Sequence, residues 1–274
     1  MSFPAEPGTC SSRRWSATRP EIGAHTLRPA QASWSGTDAL AGRWGGRNSV
    51  GNGRGSGRLR AGAATTLGPV DVIELRQYRL RPGRRDELIE LFDRELVEPQ
   101  EAAGMTVLGQ FRDLDDPDRF VWIRAFEDLS RRGEALRAFY FGPVWKAHRE
   151  QANATMLDSS DARLLRPLRP ITEPGPRPPV GAPDPGGLVF AFLWSFGERL
   201  AEVEGTMLDE VVPLYGEDAL ALATLEAEND FPALPVRTGD GHIVVIASER
   251  VELPGGVPEP RVLRLAPTGR SLLR

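Results

Sequence analysis

The sequence predicts an α+β fold: a βαββαβ ferredoxin-like unit and a degenerate copy, packed sheet to sheet so that one chain encloses a barrel. Three observations carry this. Strand and helix signals alternate in the order βαββαβ from residue 70 to 168. A weaker version of the same order follows over residues 188–274. Between them lies a Pro-rich linker, residues 169–187, inside a stretch (167–187) that holds eight prolines.

The elements follow in order. VIELRQYRL (72–80) alternates and is β-rich, which predicts a strand. Pro82-Gly83 is a turn. Residues 84–103 carry Leu88, Leu91, Phe92 and Leu96 at helical spacing, and Gly104 suits the helix end. Residues 106–112 form a second strand, DLDDPD (113–118) an acidic turn, and RFVWIRAF (119–126) a third strand. A helix over 130–140 is capped by Asp128 or Ser130 and broken at Gly142-Pro143. Pro143 then starts another helix to about residue 154. A short strand over 162–166 runs into Pro167.

In the second half, strands are predicted over 188–196, 220–228, 242–251 and 261–266, with a helix over 197–214. Glu210-Val211-Val212-Pro213 matches the Glu95-Leu96-Val97-Glu98-Pro99 stretch of the first half. Only about ten Pro/Gly-rich residues separate the last two strands, so the second helix is missing or reduced to a turn.

Residues 1–68 are rich in Gly, Ser and Arg and show neither period. They read as a disordered leader: an organelle transit peptide, a basic tail for RNA or membrane, or a mis-assigned start, which the Gly/Arg bias favours. They carry nine Arg against three acids, whereas the rest has a net charge of about −10. An acidic folded body argues against nucleic acid as partner. No apolar run approaches the ~20 residues of a membrane-spanning helix. The single cysteine, Cys10, excludes an intrachain disulfide and points to a reducing compartment. The location expected is the cytoplasm, of a bacterium.

Side-chain parity orients the strands. Slim Ile73, Leu75, Val121, Ile123 and Ala125 are expected against the helices. Glu74, Arg76, Tyr78, Trp122 and Arg124 then face into the barrel, opposite Phe190, Phe192 and Trp194 of the second unit. A buried Glu74 needs a partner, Arg76 or Arg124. Arg beside an aromatic wall suits a flat carboxylated or phenolic small molecule. The competing reading is an ion pair in a barrel filled by its own side chains. The acids of residues 113–118 read as a turn, with no metal site.

ELRQYRLRPGRRDELIELF (74–92), GQFRDLDDPDRFVWIRAFED (109–128) and FYFGPVWKAHREQANATMLD (139–158) resemble the NIPSNAP family. LRLAPTGRSLLR (263–274) resembles the tail of bacterial tandem members. The resemblance implies the dimeric α/β-barrel superfamily, here formed within one chain. That superfamily includes small monooxygenases, heme-degrading enzymes and lactone isomerases. The Trp145/His148 pair is similar to that of heme-degrading members, which makes heme the cofactor to test and His148 a candidate base or ligand, against a packing role on its helix. The resemblance carries no agreed catalytic residues.

Three functions are therefore expected in competition. One is a monooxygenase-like or isomerase-like enzyme on a small organic substrate. Glu74, Tyr78 and His148 would be its catalytic residues, and Arg76, Trp122, Arg124, Phe190, Phe192 and Trp194 would line its pocket. That enzyme requires a pocket of roughly several hundred Å³ at Arg76 and Trp122. The second is a non-catalytic module binding a small ligand or a protein. The third is a self-associating homo-oligomer.

Overall fold

A computed structural model describes residues 68–274. The expectations for residues 1–67, Cys10 included, lie outside the described residues.

Eight antiparallel strands close one barrel in the order β1-β3-β2-β8-β5-β7-β6-β4. The strands are β1 Val72–Leu80, β2 Thr106–Asp113, β3 Arg119–Phe126, β4 Met156–Pro167, β5 Val189–Ser195, β6 Leu220–Thr224, β7 His242–Ala247 and β8 Arg261–Pro267. Each unit contributes a four-stranded sheet of the same internal order, β4-β1-β3-β2 and β8-β5-β7-β6. The sheets join through β2–β8 and β4–β6 pairing. The barrel thus closes within one chain.

The first unit carries α1 (Arg85–Leu91), α2 (Val97–Ala102), α3 (Leu129–Tyr140) and α4 (Pro143–Thr155). The predicted long first helix is interrupted by a π-helical turn, Phe92–Leu96. Such turns insert one residue into the helical repeat and often mark functional sites. The second unit repeats the device: α5 (Leu200–Thr206) runs into a π-helical turn, Met207–Val211. Between β7 and β8 there is no helix, as the short Pro/Gly-rich connection requires. Asp128 caps α3 by accepting from the Arg131 N–H, and Pro143 opens α4. β4 begins six residues earlier than predicted and continues directly from α4.

The Pro-rich connection is pinned rather than free. Arg177 donates to Glu101 and to the Val107 and Arg270 carbonyls, and Arg270 reaches the Pro178 carbonyl.

The strand parity is the reverse of the expectation. The inward face carries Ile73, Leu75, Val121, Ile123, Leu193, Val244, Leu263 and their neighbours, one apolar cluster fed by all eight strands. Glu74, Arg76, Tyr78, Trp122 and Arg124 point outward, beneath the helices of the first unit. Phe192 and Trp194 point outward beneath α5, in a cluster with Met207 and Val211, with Phe190 at its edge. The reason is width. An eight-stranded barrel leaves an interior just wide enough for side chains to fill. β-Branched and aliphatic groups fit there. The bulky Trp and Tyr side chains, with Arg76 and Arg124, take the wider gap between sheet and helix, and Arg faces inward only at one mouth of the barrel.

Candidate functional site

The two sets of residues expected to share one pocket are therefore on opposite outer faces of a filled barrel. Phe192 packs on Tyr215 with ring centroids 4.7 Å apart, and the Trp194 indole donates to the Pro258 carbonyl at 2.7 Å. Arg250 lies 6.0 Å from the Phe190 ring. None of the three meets Arg76 or Trp122.

The first-unit set does converge. Glu74 is fully buried and accepts from Arg76 Nη1 at 2.9 Å and from Arg124 Nε and Nη2 at 2.9 and 2.7 Å, all on Oε2. Arg132 brings Nε and Nη2 each to 2.7 Å of Oε1; only Nε is aligned to donate, so Nη2 acts through its charge. Arg132 also pairs with Asp230, which is about a quarter exposed. Alternation places Glu74 and Arg76 on one face of β1, and register sets Glu74 opposite Arg124 and Arg76 opposite Trp122. Arg132 comes from the buried side of α3.

Aromatic rings enclose this cluster. The Arg124 guanidinium stands 4.8 Å from the Trp122 ring centroid, and Arg76 Nε donates to the Tyr78 hydroxyl at 3.1 Å. Gln100 bridges the layers, donating to the Leu96 carbonyl at 2.9 Å and accepting from Arg124 Nη1 at 3.2 Å. The Trp122 indole N–H is buried and meets no acceptor among the described residues.

Electrostatics fixes what Glu74 can do. Burial alone would push its carboxyl up. Arg124, Arg76 and Arg132 outweigh burial and hold it well below the usual carboxylate range. It is a permanent anion and a poor base. Burial would likewise lower Arg76, but Tyr78 and Glu74 raise it, so it stays charged. Burial pushes the Tyr140 phenol up.

Among Tyr78, Phe92, Gln100, Trp122, Phe139 and Trp145 lies a chamber of about 20 Å³, room for about one water. A far larger apolar groove, about 510 Å³, opens on the other side of Phe139. It is lined by Pro99, Ala102, Ala138, Pro143 and Val144. Phe139 is the partition between the two.

His148 takes no part. It sits partly exposed on α4, with Nε2 3.7 Å from Glu95 Oε2, and lines neither chamber nor groove. Its indole partner Trp145 instead packs on Phe139 and Tyr140. These residues do not fit a heme, because the chamber beside Trp145 is far too small and the imidazole is not directed to it. The acidic turn is spent on structure: Asp113 and Asp116 pair with Arg119, and Asp118 accepts from the Gly83 N–H.

Sequence reasoning missed Arg132, Gln100 and Asp230. Arg132 was findable, since it stands on the apolar stripe of α3 with Ala135, Leu136 and Phe139. Asp230, from the β6–β7 loop, leaves no local signal.

This outward layer of β1 and β3 with its covering helices coincides with a segment of recognisable ancestry: the NIPSNAP family model matches residues 73–170. The chain carries a NIPSNAP domain. A NIPSNAP family protein of unknown function from Agrobacterium tumefaciens is 22% identical, with 38% of this chain and 94% of that one covered and a TM-score of 0.34. An uncharacterised NIPSNAP domain protein from Burkholderia xenovorans is 18% identical over 35% of this chain and 94% of that one, at a TM-score of 0.33. A candidate monooxygenase from Fusobacterium nucleatum is 8% identical, covering 74% of this chain and 94% of its own, at 0.46. No curated protein matches. No helix among the described residues is long and apolar enough to cross a membrane.

Proposed function

We propose that the NIPSNAP domain is a small-molecule-binding module whose ligand is a carboxylate with an aromatic or alkyl body. One observation carries this: under the helices, three buried guanidiniums face one buried carboxylate, and among the described residues only the rim residue Asp230 adds a second. One further carboxylate brings the cluster to neutrality, with the bidentate partners that guanidinium favours. The groove supplies room for the apolar body, within the ~300–1,000 Å³ range of small-molecule sites. Rotation of Phe139 joins groove and chamber. The barrel closes within one chain, so this site needs no second copy.

The test is tryptophan fluorescence, since Trp122 and Trp145 both flank the chamber. Benzoate and octanoate are titrated at constant ionic strength. A saturable change is expected for at least one, and Ala102→Trp, an exposed change that fills the groove, abolishes it. No saturable change, or an Ala102→Trp protein that binds as well as the wild type, overturns the reading.

A second reading, an isomerase-like or monooxygenase-like enzyme, has one specific support. Tyr78 lines the chamber with its hydroxyl bonded to the Arg76 cation. A phenol so placed can hold or deliver a proton. Glu74 is then an electrostatic anchor and not a base. Turnover that is lost in Tyr78→Phe while binding persists supports this reading; binding without turnover of any bound acid removes it.

A further inference from the structure

The inward face of the barrel is apolar except at one end. There, where β1, β2, β5 and β6 finish and β3, β4, β7 and β8 begin, the inward positions include Gln77, Asp113, Arg119, Asp161, Arg163 and Arg261, with Ser195, Thr224 and His242 on the second-unit side. Two pairs are satisfied. Arg119 donates to Asp113 at 3.1 Å, and Arg163 to Asp161 at 2.5 Å. Arg261 is left over. Its hydrogen bond is to the Gln77 amide oxygen at 3.3 Å, and it has no carboxylate partner among the described residues.

Two donors beside it are unspent. Gln77 is 4% exposed and its amide nitrogen is buried without an acceptor; Arg163 is 6% exposed and its Nε is buried likewise. The Gln77 nitrogen belongs to the same amide that Arg261 reaches, and Arg163 follows two residues after Asp161, the β4 partner of Gln77. Buried donors without acceptors are uncommon in folded proteins and each calls for a partner.

We propose that this barrel mouth binds a small oxyanion, a carboxylate or phosphate group, held by Arg261, Arg163 Nε and the Gln77 amide N–H. The local potential agrees. Burial first, then Arg119 and Arg163, disfavour the charged form of Arg261, and they outweigh the opposing pull of Asp161 and Asp113. An anion would relieve all three. The site is independent of the layer under the first-unit helices, from which the filled barrel wall separates it.

The experiment is thermal unfolding of the full chain with inorganic phosphate or acetate, against sodium chloride at matched ionic strength. A saturable rise of a few degrees is expected with phosphate, acetate or both, and not with chloride. Which anion acts identifies the source of the oxyanion group. Arg261→Gln abolishes the rise. Arg264→Gln, on the outward side of the same strand and paired with Asp115 at 3.2 Å, retains it. Gln77→Glu, which supplies a resident carboxylate, also removes it. No rise beyond chloride, or a rise unchanged in Arg261→Gln, overturns the site. Neither result bears on benzoate binding in Ala102→Trp.

Discussion

Replacing Glu74 with Gln removes the one fully buried anion that three buried guanidiniums share. In the wild type Glu74 accepts from Arg76, Arg124 and Arg132 at 2.7–2.9 Å. The variant leaves Arg76 and Arg124 without any carboxylate, and Asp230 alone near Arg132. Breaking a buried ion pair by deleting one partner costs about 3–5 kcal/mol. The Gln amide keeps one acceptor oxygen but turns N–H donors towards guanidinium donors, which argues for the upper part of that range. For a domain of this size, 1 kcal/mol shifts the melting temperature by roughly 2–4 °C, so a fall on the order of 10–20 °C is expected. Urea unfolding followed by circular dichroism measures it. pH adds a second readout. The folded-state pKa lies below the unfolded value of about 4.3, so the contribution of Glu74 is complete above that value and declines as pH falls. Glu74→Gln therefore loses this acid-side slope. Benzoate should stabilise the variant more than the wild type, because the charge excess is larger. A loss under about 1 kcal/mol, the range of exposed pairs, refutes the reasoning.

Three other perturbations follow from the same structure. Burial pushes Asp93 up to about 6, so its contribution is present below about pH 4 and lost as pH rises through 6; Asp93→Asn should gain up to about 2 kcal/mol at pH 8 and nothing at pH 4 in parallel urea titrations. Ile123→Ala, in the filled barrel interior, should cost about 2–5 kcal/mol yet leave benzoate affinity unchanged by fluorescence, whereas a pocket inside the barrel would alter it. Gly241→Ala drives a Cβ into the Gly197 carbonyl, where Gly241 ties β5 to β7; a loss of about 1–3 kcal/mol should appear in thermal melts.

Most elements were legible in the sequence because alternation and helical spacing report burial directly. β1 and β3 have the predicted bounds, and the missing helix followed from a connection too short to hold one. The π-helical turns were not legible, since Phe92–Leu96 keeps enough apolar spacing to pass for ordinary helix. The pairing of Glu74 with Arg76 and Arg124 was legible from parity within the strands. Which face looked inward was not. Alternation gives two faces and no sign, and both faces here are buried: Ile73 and Glu74 are each 0% exposed. The sign is set by the width of a closed eight-stranded barrel, a property of all eight strands together. That inversion separated Phe190, Phe192 and Trp194 from Arg76 and moved the candidate site beneath the helices.

The central claim, that the ligand site lies between the first-unit sheet and its helices, is tested most directly by a crystal structure of the full chain with saturating benzoate. The expected result is a carboxylate against Arg76 and Arg124, with Phe139 turned towards the groove. Benzoate among Ile123, Val244 and Leu263 inside the barrel, or an undisturbed Phe139 with nothing bound beneath the helices, would contradict it.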